Sequence, residues 1–332
     1  MDLAPFRQRW PWIGADLQTL RDTLRPPLLP ADEGEPLPIA VGNGSSLLAL
    51  CDRPLPAVPG MQVEPRALVV LLHGLGGSSE REGLRRMGLS LQAAGLAVWR
   101  LNLRGAGPGR SLAPGTYAAR CDRDLLPVLR LAREQACGLP LLGVGISLGG
   151  TMLLNAVLAE PGMLDGLVCT SSPLDLGRCS EQIERPRNRV YQRWLLHRLR
   201  AQTLADPFGV SAAERRALVG PDRPRTIRAF DAAITAPRWG YASVEHYYRD
   251  ASPLARLLNG AALPPTMLLQ SLDDPWVPCS GALALAAQKL PGVEVVLTAR
   301  GGHNGFHGVG DAPLSCWGDQ LTVRWLQRLL TR

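Results

Sequence analysis

Short apolar segments alternate with amphipathic segments along most of this chain, and no other feature of the sequence restricts the fold as strongly. The apolar segments have the length of buried strands, and the segments between them place hydrophobic residues at helical spacing. The predicted strands lie at residues 67–73, 96–103, 139–146, 164–172, 265–272 and 293–299. The predicted helices lie at residues 81–95, 120–136, 149–160, 281–290 and 316–330. Strands joined by helices form a mostly parallel sheet with helices on both faces, so the sequence predicts an α/β fold.

Residues 173–262 interrupt this alternation. The segment is rich in arginine, broken by prolines and without a strand pattern. We therefore expect a helical lid inserted late in the sheet, with a core in two parts, residues 1–172 and residues 263–332. The first 35 residues are proline-rich, and we expect them to be irregular. A short hairpin over residues 38–51, with Gly-Asn-Gly as its turn, is expected to follow.

Composition excludes several classes of protein. The longest purely apolar strings are short, such as ALVVLL at 67–72, whereas a membrane-spanning helix needs about 20 such residues. The N-terminus lacks the basic, apolar and small-residue order of a signal peptide, so the sequence predicts a cytoplasmic protein. Lys289 is the only lysine and lies outside any Gly-Lys-Ser/Thr loop, which excludes P-loop nucleotide chemistry. The seven cysteines are widely spaced without a Cys-x-x-Cys pair, which favours free thiols over disulfides or a zinc site.

The chain is basic, with a net charge of +7, and its densest basic patch is RPRNRVYQRWLLHRLR at residues 185–200. The spacing predicts an amphipathic helix with Tyr191, Leu195 and Leu199 on one face and arginines on another. No recognised nucleic-acid-binding module accompanies the patch, so we expect no nucleic-acid partner. Weak contact with an anionic membrane surface stays open as an alternative. The sequence gives no indication of the oligomeric state.

The stretch GVGISLGG at residues 143–150 fits two kinds of site. As a glycine-rich turn after a strand, it is typical of dinucleotide binding, which also needs an acid near the end of the next strand. The next predicted strand ends in Cys-Thr-Ser-Ser at 169–172 instead. As Gly-x-Ser-x-Gly, it is typical of a nucleophile elbow, in which Gly145 and Gly149 let neighbouring backbone approach Ser147 closely. We prefer the second interpretation.

A serine nucleophile needs a base and an acid that orients the base, and this architecture places them in the order Ser, Asp or Glu, His. Asp273 and Asp274 follow one late predicted strand, and His303 lies in a glycine loop after the next. We prefer Asp274 as the acid, with Asp273 holding the loop, and His303 as the base rather than His307. These four residues are also potential metal ligands, but a metal site leaves the serine elbow unexplained. We therefore predict no metal and no organic cofactor.

Acyl transfer also needs hydrogen-bond donors for the oxyanion that develops on the substrate. The backbone N–H after the nucleophile belongs to Leu148. A second donor is expected from the loop LLHGLGGSS at 71–79, with the Leu75 N–H as the candidate. We expect His73 and Gly74 to support this loop, and His73 to be structural rather than a base.

The motifs HGLGGSS, RLNLRGAGPG, GISLGG, SLDDPWVP and GGHNGF occur in this order along the chain. Together they resemble the α/β-hydrolase fold, and more narrowly the YheT-like branch related to eukaryotic α/β-hydrolase-domain lipid esterases. The resemblance implies Ser147, Asp274 and His303 as the catalytic triad, with Leu75 and Leu148 at the oxyanion hole. The family's Asn-Leu-Arg-Gly turn makes Asn102 and Arg104 secondary candidates. They are equally well explained as residues that tie down a glycine-rich loop.

The sequence therefore predicts a serine hydrolase that cleaves carboxylic esters through an acyl-enzyme intermediate. Its expected partner is a small-molecule ester, with lipid-like esters included. An acyltransferase that passes the acyl group to an alcohol is the first alternative, because some fungal relatives are similar to such enzymes. A non-catalytic binder of an anionic or lipid-like ligand is the second alternative.

Overall fold

A computed structural model of the chain describes residues 3–56, 63–221 and 223–331. Within these residues, eight strands form one sheet. The strands are β1 Glu35–Gly42, β2 Ser45–Asp52, β3 Leu68–Leu72, β4 Ala97–Asn102, β5 Leu141–Ile146, β6 Gly166–Thr170, β7 Thr266–Ser271 and β8 Val293–Thr298. The helices are α1 Ala15–Leu24, α2 Glu82–Ala93, α3 Asp122–Gln135, α4 Leu148–Ala159, α5 Leu176–Glu184, α6 Arg189–Leu204, α7 Ala212–Val219, α8 Ile227–Phe230, α9 Ala236–Arg238, α10 Val244–Ala251, α11 Leu254–Leu258, α12 Ser280–Gln288 and α13 Trp317–Leu330.

The sheet has the order β1-β2-β4-β3-β5-β6-β7-β8. The pairs β1–β2 and β2–β4 are antiparallel, and every other pair is parallel. The predicted α/β fold and its opening hairpin are therefore confirmed, and each predicted core strand and helix ends within two residues of its predicted limits. Because all the parallel strands run the same way, the loops after β5, β7 and β8 meet at one edge of the sheet.

The central strand β3 shows why its sequence is apolar without interruption. All five of its residues are buried. Leu68, Val70 and Leu72 pack into the hydrophobic core on one face of the sheet. Val69 and Leu71 pack into the core on the other face. A strand covered by helices on both faces cannot alternate apolar with polar side chains, because both sides are removed from water.

Between residues 173 and 262, the described part of the chain consists of helices joined by loops and turns. Helices α5 to α11 lie between β6 and β7 in chain order, and no strand interrupts them within that described part. Part of this segment has a small core of its own, formed by Leu196, Leu199, Leu218, Phe230 and Ile234. Helix α6 buries Tyr191, Leu195 and Leu199 on the face predicted from the sequence.

The prediction of an irregular N-terminal region is wrong for residues 15–24, which form α1; residues 1 and 2 lie outside the described residues. The helix is mostly polar, and its one fully buried side chain is that of Gln18, which is 1% exposed. Contacts with the rest of the protein hold this helix in place, and hydrophobic periodicity gave no signal for it. Tertiary contacts commonly override weak local preferences in this way. Across the described residues, no helix combines the length and apolar character required to cross a bilayer.

Candidate active site

Ser147 lies at a sharp turn between β5 and α4. Its backbone has φ 54° and ψ −124°, a strained conformation for a residue with a side chain. The turn is tight because α4 begins directly against the end of β3. A Cβ atom at Gly149 would lie 2.6 Å from the Leu72 carbonyl oxygen, and one at Gly145 would collide with the backbone of Gly150. Glycine is therefore required on both sides of the serine, as expected for a nucleophile elbow.

Ser147, His303 and Asp274 form a continuous chain of hydrogen bonds. His303 Nε2 lies 2.9 Å from the Ser147 hydroxyl oxygen, and His303 Nδ1 lies 2.9 Å from an Asp274 carboxylate oxygen. The carboxylate fixes the neutral imidazole with its proton on Nδ1, which leaves Nε2 free to accept the serine proton. The Asp274 side chain has no exposed surface and that of His303 is 5% exposed, so the pair is shielded from water.

The turn that carries Asp274 also fixes its orientation. The second carboxylate oxygen of Asp274 accepts hydrogen bonds from the backbone N–H groups of Trp276 at 2.8 Å and Val277 at 2.9 Å. The Trp276 ring stacks on the His303 ring with centroids 4.5 Å apart. The Asn304 side-chain nitrogen also lies 3.1 Å from His303 Nε2. Trp276 and Asn304 were not singled out from the sequence, although both lie inside the motifs SLDDPWVP and GGHNGF.

Asp273 and His307 lie outside this hydrogen-bond chain. Asp273 accepts a hydrogen bond of 2.9 Å from the backbone N–H of Gly302, so it holds the histidine loop, the role expected for it. His307 lies between Asp22 at 3.3 Å and Asp311 at 3.5 Å. The two aspartates and two histidines considered as metal ligands therefore do not converge on one point.

The loop after β3 lies directly against the elbow. A Cβ atom at Gly74 would lie 2.9 Å from the Cβ of Ser147, and Leu75, the next residue of this loop, lines the same cavity as Ser147. Leu148 is the first residue of α4, where helical N–H groups have no partner within the helix. No backbone acceptor among the described residues takes a hydrogen bond from the Leu75 or Leu148 N–H. Both N–H groups thus remain available to a ligand.

His73 braces this loop. Its Nδ1 donates to the Gly74 carbonyl oxygen at 2.8 Å, and its Nε2 accepts from the Leu103 N–H at 3.3 Å. Accepting at one nitrogen and donating at the other requires the neutral imidazole. Burial lowers the pKa of His73 to about 4, which keeps it neutral near pH 7.

Asn102 and Arg104 tie down backbone next to the site. The Asn102 side chain accepts from the Ser79 N–H at 3.0 Å and donates to the Leu48 carbonyl oxygen at 3.2 Å. Arg104 forms a bidentate ion pair with Asp124, in which the guanidinium Nη2 and Nε donate to the two carboxylate oxygens at 2.6 and 2.7 Å. Neither residue lines the cavity that contains Ser147. These contacts are consistent with the explanation that Asn102 and Arg104 hold a glycine-rich loop in place.

Ser147 and His303 open into a cavity of about 360 Å³. One side is formed by the β3 loop and the start of α4. Another side is formed by side chains from the helical segment between β6 and β7, among them Leu176, Ile183, Leu195, Leu199, Ile227 and Phe230. Most of these side chains are apolar, so the cavity suits the hydrocarbon part of a ligand.

Helix α1, which is not part of the sheet, contributes residues that line the cavity and contact the histidine loop. Thr19 lines the cavity and accepts a hydrogen bond of 2.9 Å from the backbone N–H of His303. Gln18 donates to the His307 carbonyl oxygen and accepts from the His307 N–H, both at 2.8 Å. Both residues belong to the stretch LQTLR at 17–21. No local signal indicated that this stretch contacts the histidine.

Comparison with known proteins identifies the family of the chain. The α/β hydrolase fold family matches residues 67–308. Phospholipase ABHD3 of Mus musculus is 32% identical over 252 residues, which are 73% of this chain and 58% of that protein. The putative esterase YheT of Escherichia coli (strain K12) is 30% identical over 272 residues, 81% of this chain and 79% of that protein. These relatives confirm the resemblance to the YheT-like branch.

Solved structures support the same fold. The esterase domain of a Rhodothermus marinus protein has a TM-score of 0.55 at 18% identity, and the match covers 89% of this chain and 98% of that one. Est1E from Butyrivibrio proteoclasticus has a TM-score of 0.51 at 15% identity, and the match covers 90% of this chain and all of that one. The chain belongs to the α/β hydrolase fold family.

Proposed function

We propose that this protein hydrolyses carboxylic esters through a covalent acyl-enzyme intermediate on Ser147. His303 is the general base, Asp274 orients it, and the Leu75 and Leu148 N–H groups bind the oxyanion. The observation that carries the proposal is the pair of 2.9 Å hydrogen bonds that link Ser147 to His303 and His303 to Asp274. A nucleophile, a base and an orienting acid in this order are the requirements for activating a serine hydroxyl.

The proposed hydrolysis proceeds by nucleophilic attack and proton transfer between these groups. The Ser147 oxygen attacks the ester carbonyl carbon while its proton passes to His303 Nε2. The carbonyl oxygen becomes an oxyanion, which accepts hydrogen bonds from the two backbone N–H groups. When the tetrahedral intermediate collapses, His303 gives the proton to the departing alkoxide and the acyl group stays on the serine. A water molecule, deprotonated by His303 in turn, then releases the carboxylic acid.

The cavity supports an ester with a hydrocarbon chain as the substrate. The printed names of two relatives, a phospholipase and a putative esterase, agree with this class. The chain spans 58% of the length of that phospholipase, so its substrate is part of the proposal. We also propose that helices α5 to α11 act as a lid, because several of their side chains line the cavity that Ser147 opens into.

A fluorophosphonate probe and a chain-length series of p-nitrophenyl esters test this function. The purified protein should be labelled at Ser147 and should release p-nitrophenolate, whereas the Ser147→Ala variant should do neither. Ser171 is a suitable control, because it also follows a strand of the sheet with a positive φ, and its hydroxyl accepts the Asn304 N–H at 3.2 Å without contacting the His303 ring. Its alanine variant should still be labelled. Labelling that persists in the Ser147→Ala variant would contradict the mechanism.

Transfer of the acyl group to an alcohol is a second candidate. It is favoured by a relative named medium-chain fatty acid ethyl ester synthase/esterase 2, from Saccharomyces cerevisiae, which is 28% identical over 264 residues. Both activities use the same acyl-enzyme and differ only in whether water or alcohol attacks it. Adding ethanol and measuring ethyl ester against free acid distinguishes them. A protein that binds lipid-like ligands without labelling at Ser147 would instead be a non-catalytic binder.

Contact with an anionic membrane surface is part of the proposal. Helix α6 exposes Arg189 and Arg193 opposite its buried face, and the Trp194 side chain is 43% exposed. Exposed charges interact with a surface through a screened field. Binding to anionic vesicles should therefore weaken as salt is raised, and binding to neutral vesicles should be absent.

A further inference from the structure

Asp231 lies in the wall of the same cavity as Ser147, yet the proposed reaction does not use it. It follows α8, and its accessible surface opens onto the cavity. The Thr235 hydroxyl donates to one carboxylate oxygen at 2.7 Å, and the Tyr248 hydroxyl donates to the other at 2.8 Å. A carboxylate accepts about four hydrogen bonds. About half of this capacity is therefore unused.

No cation compensates this carboxylate within the described part of the chain. The nearest arginine on the same helix, Arg228, instead pairs with Glu245 at 2.6 Å and lies over the Tyr248 ring. Burial raises the pKa of Asp231 to about 6, so it remains mostly ionised near pH 7. An unpaired charge in an enclosed apolar site is costly unless a ligand or partner completes its interactions.

The surroundings of Asp231 are otherwise apolar. Ile227, Phe230 and Leu199 line the cavity together with it. The backbone of residues Asp231–Thr235 forms a single π-helical turn. Such turns occur often at functional sites, because they change the direction in which a helix presents its side chains.

We infer that Asp231 is a specificity site, which accepts a hydrogen bond from a donor group of the substrate at a distance from the ester. The donor is a hydroxyl or an ammonium group, and either completes the unused acceptor positions of the carboxylate. Preferred substrates are therefore esters with an apolar chain that ends in such a donor. Esters with plain alkyl chains fill the same cavity but leave the carboxylate unsatisfied. This inference builds on the proposed ester hydrolysis, because it concerns the substrate of the same site.

Matched esters test the inference. Four alkyl esters of equal length are compared. The first ends in methyl groups on both its acyl and its alcohol part. The second carries a hydroxyl at the end of the acyl part, the third carries a hydroxyl at the end of the alcohol part, and the fourth ends in an ammonium group. The wild type should favour at least one donor-bearing ester over the methyl ester by about 10-fold in kcat/KM, the effect of one charge-assisted hydrogen bond. The Asp231→Asn variant should lose this preference for the ammonium ester, and Asp231→Ala should lose it for the hydroxyl esters as well.

The Glu181→Gln variant is the matched control. It makes the same acid-to-amide change in the same helical segment, but Glu181 is exposed and does not line the cavity, and the change leaves the Arg228–Glu245 pair intact. Its substrate preference should equal that of the wild type. Equal preferences in the wild type and both Asp231 variants would overturn the inference and leave Asp231 as a structural residue.

The pH dependence gives a second measurement. The ratio of kcat/KM for the ammonium and methyl esters removes pH effects that the two substrates share, because both use the same catalytic residues. In the wild type this ratio should fall as the pH drops through about 6 and Asp231 becomes neutral. The other ionisable groups nearby are Tyr247 and Tyr248, whose pKa burial raises, and the Arg228–Glu245 pair. Tyr247 and Tyr248 stay neutral in that range, since their pKa values are raised, and hydrogen bonds lower the pKa of Glu245. The ratio should therefore stay constant in the Asp231→Asn variant.

A binding measurement separates this inference from the proposed function. Calorimetry on the Ser147→Ala variant compares the methyl-terminated ester with the hydroxyl-terminated and ammonium-terminated esters of equal length, and it needs no turnover. Tighter binding of the donor-bearing compounds, lost in the Ser147→Ala/Asp231→Ala double variant, supports the inference even if no ester is hydrolysed. Equal binding contradicts it even if Ser147 proves to be the nucleophile.

Discussion

The backbone N–H of His303 donates a hydrogen bond of 2.9 Å to the hydroxyl of Thr19, 284 residues earlier in the chain. Gly302, the preceding residue of the loop, also packs closely against Thr19, because a Cβ atom at Gly302 would lie 2.7 Å from the same hydroxyl oxygen. Thr19 is on α1, outside the residues that match the family. A helix that precedes the family's core thus holds the loop of the proposed base.

We predict that Thr19→Val lowers kcat by about 10-fold and changes KM little. The valine removes the acceptor and leaves a buried N–H unsatisfied, at a cost of about 1–3 kcal/mol. The loop is then expected to relax and the imidazole to leave its position beside Ser147. Steady-state kinetics and pH–rate profiles measure the effect, and Thr19→Ser should restore activity because it keeps the hydroxyl.

Thr23 provides a control for this prediction. It lies one turn further along α1 and also lines the cavity, but its residue is exposed and makes no hydrogen bond to the histidine loop among the described residues. Thr23→Val should retain the wild-type kcat. Equal losses at Thr19 and Thr23 would show that general destabilisation of α1 is responsible, and that the hydrogen bond to His303 is not.

The two neighbouring aspartates should differ sharply in their effect on activity. Asp274→Asn should lower kcat by about 10⁴-fold, because the amide favours the wrong imidazole tautomer. Asp273→Asn keeps an oxygen that accepts the Gly302 N–H, so its kcat should stay within about 10-fold of the wild type. Comparable losses in the two variants, measured with the same ester, would reject Asp274 as the orienting acid.

The sequence predicted the parts of the molecule that rest on local patterns. Alternation of strand and helix indicated the sheet, and the motifs around Ser147, Asp274 and His303 sit at the ends of its strands. Parallel strands bring these ends to one edge, so their proximity follows from the topology. The helix that carries Gln18 and Thr19 was not predicted, because its stability depends on contacts with residues almost 290 positions away. Asp231 was missed for a related reason, since only the packed structure shows that no cation in the described part of the chain pairs with its carboxyl group.

Gly74→Ala should lower kcat by about 10²–10³-fold, the effect of losing one oxyanion donor in a serine protease. The added methyl group would lie 2.9 Å from the Ser147 Cβ, so the loop must move and carry the Leu75 N–H with it. The control is Gly177→Ala in α5, whose nearest contact is the Asp175 side chain at 3.3 Å. Thermal unfolding of both variants shows whether they remain folded. A Gly74→Ala enzyme with the wild-type kcat would exclude this loop from the oxyanion hole.

His73 should make the stability of the protein depend on pH. Burial lowers its pKa from 6.5 to about 4 in the folded state, whereas the unfolded chain keeps the ordinary value. Below about pH 6.5 the unfolded state therefore binds a proton that the folded state rejects. The contribution of His73 to the free energy of unfolding is complete above that pH and is lost as the pH falls towards 4. The loss between about pH 7 and pH 5 is about 2 kcal/mol.

Urea unfolding of the wild type and the His73→Asn variant at several pH values measures this contribution. Asp231 acts in the opposite direction, because its pKa is raised to about 6 and its burial becomes less costly as it is protonated. That contribution is common to both proteins and cancels in their difference. The stability difference between them should therefore shrink by about 2 kcal/mol from about pH 7 to pH 5. Parallel curves would show that His73 is not held neutral in the folded protein, and its hydrogen bonds to Gly74 and Leu103 would then need another explanation.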